Sequence, residues 1–172
     1  MLALAAIAAP ALAQPKSDWE VEYEKRSWQE ADLVLPAYPK NEDLVEFFVS
    51  AATPFHFYLD GKSLSVGKDG VVRYTLVTRS PAGAVSVSYE GIRCDPAGVR
   101  TYAYGRTGDR TWSQRPGAWR PIVRMEVQRW HLALWSEYLC PEQHPIATPA
   151  EGVAALRRGG HPDAHPEIGP PL

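Results

Sequence analysis

The sequence predicts an α+β fold: a mostly antiparallel β-sheet, or partly closed barrel, with one C-terminal helix packed on it. Three observations support this prediction. In several central segments, apolar and polar residues alternate with a period of two, which is typical of half-buried strands. Turn signals rich in glycine and proline separate these segments. One later segment instead repeats apolar residues at helical spacing.

The first thirteen residues indicate export. Residues 1–13 comprise twelve apolar residues, one proline and no charge, and they end in Ala11-Leu12-Ala13, the small-x-small pattern of a cleavage site. This run is shorter than the roughly 20 apolar residues that cross a membrane. We therefore predict a signal peptide cleaved after Ala13, a periplasmic protein and no membrane span. An N-terminal buried helix is the alternative.

Charge and composition divide the rest of the chain into three regions. We predict an acidic N-terminal arm over 14–45, a single β-rich domain with the C-terminal helix over 46–158, and a disordered tail over 159–172. Half of the tail residues are glycine or proline, so the tail buries too little to order itself. It includes His161 and His165 near two carboxylates, which we interpret as a polar solvated segment rather than a metal site.

The strands follow in chain order. The segment 41–49 opens like a capped helix, but the alternation of Val45, Phe47 and Val49 favours a strand. Further strands are predicted over 55–59, 70–78, 84–92 and 99–106. The turn 79–83 joins the middle two into an antiparallel hairpin. In the last strand, alternation puts Tyr102 and Tyr104 on one face.

The helix is predicted over 123–139. Its apolar residues form two stripes, one of which includes Trp130, Leu134 and Tyr138, so the helix should be well buried. His131 lies on or beside a stripe, where we expect a core histidine with a satisfied hydrogen bond. Pro141 ends the helix.

The two cysteines, Cys94 and Cys140, are predicted to form a disulfide, because an even count in an exported chain usually pairs. Two buried free thiols, or one catalytic cysteine with a bystander, are the alternatives. The bond would tie the end of a strand to the end of the helix.

An arginine-rich segment is the candidate binding surface. Residues 93–129 contain eight arginines and three acids, whereas 16–46 contain four basic and nine acidic residues. Arginines interleaved with aromatic residues suit another envelope protein, an anionic glycan or a lipid head group, and export excludes nucleic acid. The alternatives are that the acidic arm packs on this segment, or that both are solvated. The candidate residues are Arg93, Arg100, Arg106, Arg110, Arg120, Tyr102 and Tyr104.

Common catalytic, nucleotide and metal motifs are absent from the sequence, so we predict no cofactor, no metal and no assigned catalytic residue. The leading hypothesis is a non-enzymatic binding or interaction module in the cell envelope. The alternative is a small envelope hydrolase with a dispersed triad, in which His56 or His131 would act with a serine and an aspartate. The candidate partners are Ser63, Ser65, Asp60 and Asp69. A structural subunit of a larger assembly is a third hypothesis.

Two stretches resemble a known family. Residues 63–77, from Ser63-Leu-Ser-Val-Gly, and residues 85–94, ending in Tyr89-Glu-Gly-Ile-Arg-Cys94, are similar to the CNP1-like family, and the likeness extends from about Trp28 to Cys140. That family consists of exported bacterial proteins, chiefly from betaproteobacteria, without an established activity. The resemblance implies an exported, single-domain protein and assigns no catalytic residue.

Overall fold

The computed structural model describes residues 28–123 and 129–164. In this part of the chain, eight strands form one antiparallel sheet and two helices pack beside it. The strands are β1 (Leu44–Phe47), β2 (His56–Asp60), β3 (Ser65–Val66), β4 (Val72–Arg79), β5 (Val85–Arg93), β6 (Gly98–Arg106), β7 (Thr111–Gln114) and β8 (Arg120–Pro121).

The sheet has the order β1-β2-β4-β5-β6-β7, while β3 pairs with β4 and β8 with β6. Since β1 and β7 form its two edges, the sheet is open. The predicted antiparallel sheet is thus confirmed, and it is an open sheet rather than a partly closed barrel. The 41–49 segment forms a 3₁₀ turn followed by β1, as the alternation favoured, and β4 and β5 form the predicted hairpin.

The helical layer differs from the single predicted helix. The first helix, α1 (Arg129–Ala133), continues as a π-helical segment over Leu134–Leu139 and ends before Pro141. Val123 is not helical, and 124–128 lies outside the described residues. A second helix, α2 (Pro149–Arg158), was not predicted. No helix in 28–123 or 129–164 has the length and apolar character needed to cross a membrane.

The helices cover one face of the sheet. Phe57 stacks on Trp130 with ring centroids 5.3 Å apart, and Phe47 meets Tyr138 edge to face. Trp135 donates its indole N–H to the carbonyl oxygen of Cys94. The later part of the predicted stripes is buried, namely Leu134, Trp135, Tyr138 and Leu139, and Trp130 is partly buried. Val123, at the predicted start, is 37 % exposed.

Residues 28–40 cover the opposite face, and we call them the N-terminal strap. Leu33 and Leu35 pack against Tyr89 and Tyr102 of the sheet. As a result, β4 is buried on both faces over 72–77, although its alternation predicted a half-buried strand. The error has a physical cause, because the covering segment is irregular and leaves no periodic signal in the sequence.

The predicted disulfide between Cys94 and Cys140 is confirmed. Their Cα atoms are 5.4 Å apart, and the bond joins the end of β5 to the end of the π-helical segment. The chain beyond α2 is also packed, at the start of the region predicted as a disordered tail. His161 is only 8 % exposed, and its backbone N–H donates to Glu137. Residues 165–172 lie outside the described residues.

Candidate functional site

The arginine-rich candidate surface is divided by a β-bulge. Between β5 and β6 the register shifts, so that Glu90 pairs with Thr101 whereas Tyr89 pairs with Ala103. The extra residue is Tyr102, which points under the strap and is 2 % exposed, while Tyr104 is 50 % exposed. The prediction that these two tyrosines share a face was therefore wrong, because a bulge interrupts the alternation.

The strap supplies a carboxylate to the arginines. Glu30 accepts hydrogen bonds from Arg100, from the hydroxyl of Tyr102 and from the indole N–H of Trp119. Nη2 of Arg73 lies 3.6 Å from Glu30 Oε1. Within the described residues, Glu30 of the predicted acidic arm therefore packs on the arginine-rich segment, which is one of the three interpretations of the sequence.

The other candidate residues are dispersed. The guanidinium of Arg93 lies beside the rings of Trp28 and Trp119, at 4.8 and 5.4 Å from their centroids. Arg110 donates to the carbonyl oxygen of Pro39 in the strap. Arg106 and Arg120 are both exposed. Arg106 is the last residue of β6, whereas Arg120 lies in β8, which pairs with the beginning of β6. The candidate residues thus do not converge on one cavity, and an anion or partner surface there stays a prediction.

A buried polar network lies beneath the helical layer. Glu90 lies in the core and accepts hydrogen bonds from Tyr74 and Ser88, and Nε2 of His131 lies 2.9 Å from its Oε2. Burial alone would raise the pKa of Glu90, but the hydrogen bonds and charge of His131, with those of Ser88 and Tyr74, lower it. His131 is thus the core histidine expected, although its Nδ1 is buried without a hydrogen-bond partner.

The structure does not assemble the dispersed triad. Within the described residues, no serine hydroxyl is a hydrogen-bond partner of His56 or His131, whose nearest partners are carboxylates. Ser63 instead donates to the backbone oxygen of Asp60 and accepts from the N–H of Thr75. Asp69 is engaged with the guanidinium of Arg73. These residues have structural contacts rather than the geometry of a nucleophile and its base.

An apolar groove of about 570 Å³ lies where the β1–β2 loop meets the start of α1. This volume is in the range of small-molecule sites, about 300–1,000 Å³. Polar side chains at its margin are those of Ser50, Thr53, Thr78 and Arg129. The apolar lining consists of Val49, Ala52, Pro54, Phe55, Phe57 and Trp130.

Local structure holds the groove open. In the β1–β2 loop, Ser50 Oγ accepts the N–H of Ala52, and Thr53 Oγ1 accepts the N–H of Phe55. Phe55 is 44 % exposed at the margin, and Phe48, in the same loop, is 62 % exposed. Large exposed aromatic residues beside a cavity are typical of binding surfaces rather than of core packing.

Basic side chains surround this region. A second cleft continues from the groove across the loop, sharing Val49 and Phe55, and it reaches Arg157 and Arg158 at the end of α2. Arg129 is exposed and forms no hydrogen bond or ion pair with the described part of the chain. The carboxylate in the second cleft belongs to Glu46, whose Oε1 lies 2.7 Å from Nδ1 of His56.

Sequence reasoning missed the groove, although one signal was present. Phe48 is an aromatic residue on the polar side of the alternation of Val45, Phe47 and Val49. Phe55 gave no such signal, because it alternates with Phe57 as an apolar residue of the predicted strand 55–59. Neither residue indicates that Trp130, far along the chain, completes the cavity.

Comparison with known proteins identifies one family. The model of the CNP1-like family matches residues 23–157. No curated protein and no solved structure matched the chain. The match spans the strap, the sheet and the helical layer as far as the end of α2.

Proposed function

The chain belongs to the CNP1-like family, and from the geometry of its surface we propose that it is an exported, non-enzymatic binding module of the bacterial cell envelope. The groove is its binding site. The observation that carries this proposal is the exposed Phe55 beside a cavity lined by Phe57 and Trp130, with the exposed Phe48 in the adjoining cleft. An apolar cavity with few polar groups is the form that small-molecule sites most often take.

Export is supported by the signal-like segment 1–13 and by the disulfide, which is a bond of oxidising compartments. Expression of the full chain in a bacterium, followed by fractionation and N-terminal sequencing, tests it. We expect periplasmic protein beginning at Gln14. Cytoplasmic protein that retains Met1 would refute both the signal peptide and the periplasmic site.

The binding proposal is tested with a neutral apolar fluorophore, N-phenyl-1-naphthylamine. We expect saturable binding that brightens the probe and quenches tryptophan fluorescence, since Trp130 lines the groove. The variant Ala52→Trp would fill the groove and lower the affinity at least about fivefold, because an occupied cavity offers no apolar surface to the probe.

The matched control is Val34→Trp. Val34 is 80 % exposed in the strap, on the opposite face of the sheet, so this variant adds the same side chain without entering the groove. It should bind the probe like the unchanged protein. Equal affinities for Ala52→Trp and Val34→Trp would reject the groove as the site.

A second candidate function uses the arginine-aromatic surface. Tyr104 and Arg106 are both exposed at one end of β6, where they could meet another envelope protein, an anionic glycan or a lipid head group. The variant Arg106→Gln should then weaken capture of such a partner from an envelope extract. Unchanged capture would remove Arg106 from the candidate surface.

A further inference from the structure

We infer that the groove binds a single-chain anionic amphiphile, with the alkyl chain in the cavity and the anionic head group against Arg129. This inference rests on the proposed function, because it names the class of ligand for the same groove. It adds that the ligand is anionic and that its head group lies at Arg129. An apolar cavity alone indicates neither.

The apolar part of the ligand is indicated by the lining. Phe57 and Trp130 stack with an interplanar angle of 30°, and Phe55 stands at the margin. The loop hydroxyls of Ser50 and Thr53 already accept hydrogen bonds from the loop backbone. The cavity interior therefore gains more from burying hydrocarbon than from binding a polar group.

The charge of the ligand is indicated by the basic residues at the margins. Arg129 lines the groove itself, and Arg157 and Arg158 line the cleft that continues from it. Against these three cations, the cleft contains one carboxylate, Glu46, which lies beside His56. An anionic head group is therefore attracted and a cationic one repelled.

The head group is placed at Arg129 because this exposed side chain lines the groove. Arg129 has no hydrogen bond or ion pair within 28–123 and 129–164. Arg129 directly precedes Trp130 in α1, and both residues line the groove. The cation is therefore next to the apolar part of the cavity. A carboxylate that meets a guanidinium accepts parallel hydrogen bonds from its N–H groups.

An amphiphile fits better than a peptide added to the sheet. The strand beside the groove is the edge strand β1, and its free side is the natural place for an added strand. However, α2 packs against β1, and its Val153 and Arg157 line a cleft with residues 44–46 of that strand. A strand added to β1 would have to displace or pass this helix, whereas the groove needs no such rearrangement.

The experiment compares three probes with the same twelve-carbon chain: dodecanoate, dodecanol and dodecyltrimethylammonium, each below its micelle-forming concentration. Isothermal titration of the mature protein gives the three affinities. We expect dodecanoate to bind about fivefold more tightly than dodecanol, and the ammonium probe to bind most weakly, since a partly exposed ion pair contributes on this scale.

Two arginine variants locate the head group. Arg129→Gln should abolish the preference for dodecanoate while leaving the affinity for dodecanol unchanged. Arg106→Gln removes the same charge at the far end of β6 and should change neither. Circular dichroism during each titration separates binding from unfolding by the amphiphile.

The outcomes separate this inference from the proposed function. Equal affinities for the three probes, or a preference that survives Arg129→Gln, would overturn the head-group assignment. A preference lost in Arg106→Gln instead would also overturn it and would favour the arginine-aromatic surface. Absence of all alkyl binding, while N-phenyl-1-naphthylamine still binds in the groove, would reject the amphiphile alone. Failure of that neutral probe as well would reject the proposed function.

Discussion

Asp69 connects the strap to the sheet. Its carboxylate accepts two hydrogen bonds from Arg73 of β4 and one from the backbone N–H of Ala31 in the strap. The backbone oxygen of Asp69 accepts the indole N–H of Trp28. The side chain of Asp69 is 1 % exposed, so this carboxylate replaces its lost water contacts with protein donors.

These contacts make stability depend on acid pH. Burial alone would raise the pKa of Asp69, but the hydrogen bonds from Arg73, Ala31 and Val71 lower it from 3.8 to about 2. A carboxyl whose pKa is lower in the folded than in the unfolded state stabilises the fold above the unfolded value. That contribution is lost as the pH falls from about 4 towards 2.

We therefore predict the pH dependence of the variant Asp69→Asn. Near neutral pH it should lower the free energy of unfolding by about 2 kcal/mol, the equivalent of the pKa shift. The difference from the unchanged protein should shrink as the pH falls towards 2, where Asp69 is itself half protonated, and should approach zero only below that pH. Urea unfolding at several pH values measures both curves.

Asp32→Asn is the matched control, because Asp32 is exposed in the same strap and forms no hydrogen bond within the described residues. It should have little effect at any pH. A deficit in Asp69→Asn that stays constant from neutral pH to pH 2 would contradict the charge-based account and indicate a packing effect instead.

At the scale of elements, the β-bulge in β6 sets which residues meet the strap. Tyr102, the extra residue, reaches Glu30 by passing over Gly91 of β5, which itself pairs with Arg100. A Cβ atom built on Gly91 would lie 2.7 Å from the hydroxyl of Tyr102 and 2.8 Å from Val71. Glycine is thus needed here for close approach of a side chain.

Gly91→Ala should consequently destabilise the protein by about 1 to 3 kcal/mol, the usual range for overpacking. Because Tyr102 must shift, the tyrosine would also withdraw from Glu30 and loosen the strap. Thermal unfolding measures the first effect, and faster hydrogen exchange of the Ala31 amide measures the second.

Gly108→Ala provides the comparison, since a Cβ atom at Gly108 has no neighbour within 4 Å. It should leave both measurements unchanged. Unaltered exchange at Ala31 in Gly91→Ala would show that the strap does not depend on the position of Tyr102.

The elements that sequence predicted are those with local periodicity. The β4–β5 hairpin and β6 follow from alternation, and the buried helix follows from its apolar stripes. The bulge at Tyr102 arises from pairing with β5, and the π-helical segment 134–139 has the same apolar residues as an α-helix. Neither has a local signature, so neither was predictable.

The second helix, α2, did have local sequence signals at its two ends, but a glycine in its interior weakens the helical pattern. Thr148 and Glu151 form a capping box, Pro149 occupies the first turn, and Gly159 with φ 85° ends the helix. The interior Gly152 weakens the helical pattern, yet packing requires it. Its Cβ atom would lie 2.6 Å from Ile146 and 2.7 Å from Leu64.

At the scale of the whole molecule, the part of the protein that the structure describes has three layers: the strap, the sheet and the helical layer. The candidate groove lies at the junction of the sheet and the helical layer, so its shape depends on how α1 is held. Trp130 forms its floor by stacking on Phe57, and the buried contact between His131 and Glu90 fixes the next residue. The residues of the groove come together only in the folded molecule, so the sequence alone could not predict the groove.

The disulfide fixes the other end of the same helical layer. Cys94 and Cys140 are 2 % and 3 % exposed, and Trp135 also binds the backbone oxygen of Cys94. Their sequence separation of 46 closes a long loop, which in the chain-entropy model stabilises by about 3 to 4 kcal/mol. Reduction should lower the free energy of unfolding by this amount, and Cys94→Ala/Cys140→Ala should do the same without a reductant.

The groove should nonetheless survive in the folded reduced protein, because the contacts of Trp130 and His131 lie at the opposite end of the helical layer. Urea unfolding of the oxidised and reduced protein measures the loss of stability, and titration with N-phenyl-1-naphthylamine without urea measures the groove. A midpoint unaffected by reduction would contradict the stabilising role of the bond. A weakened probe affinity in the still-folded reduced protein would mean instead that the disulfide positions Trp130, and that the binding site depends on the redox state of its compartment.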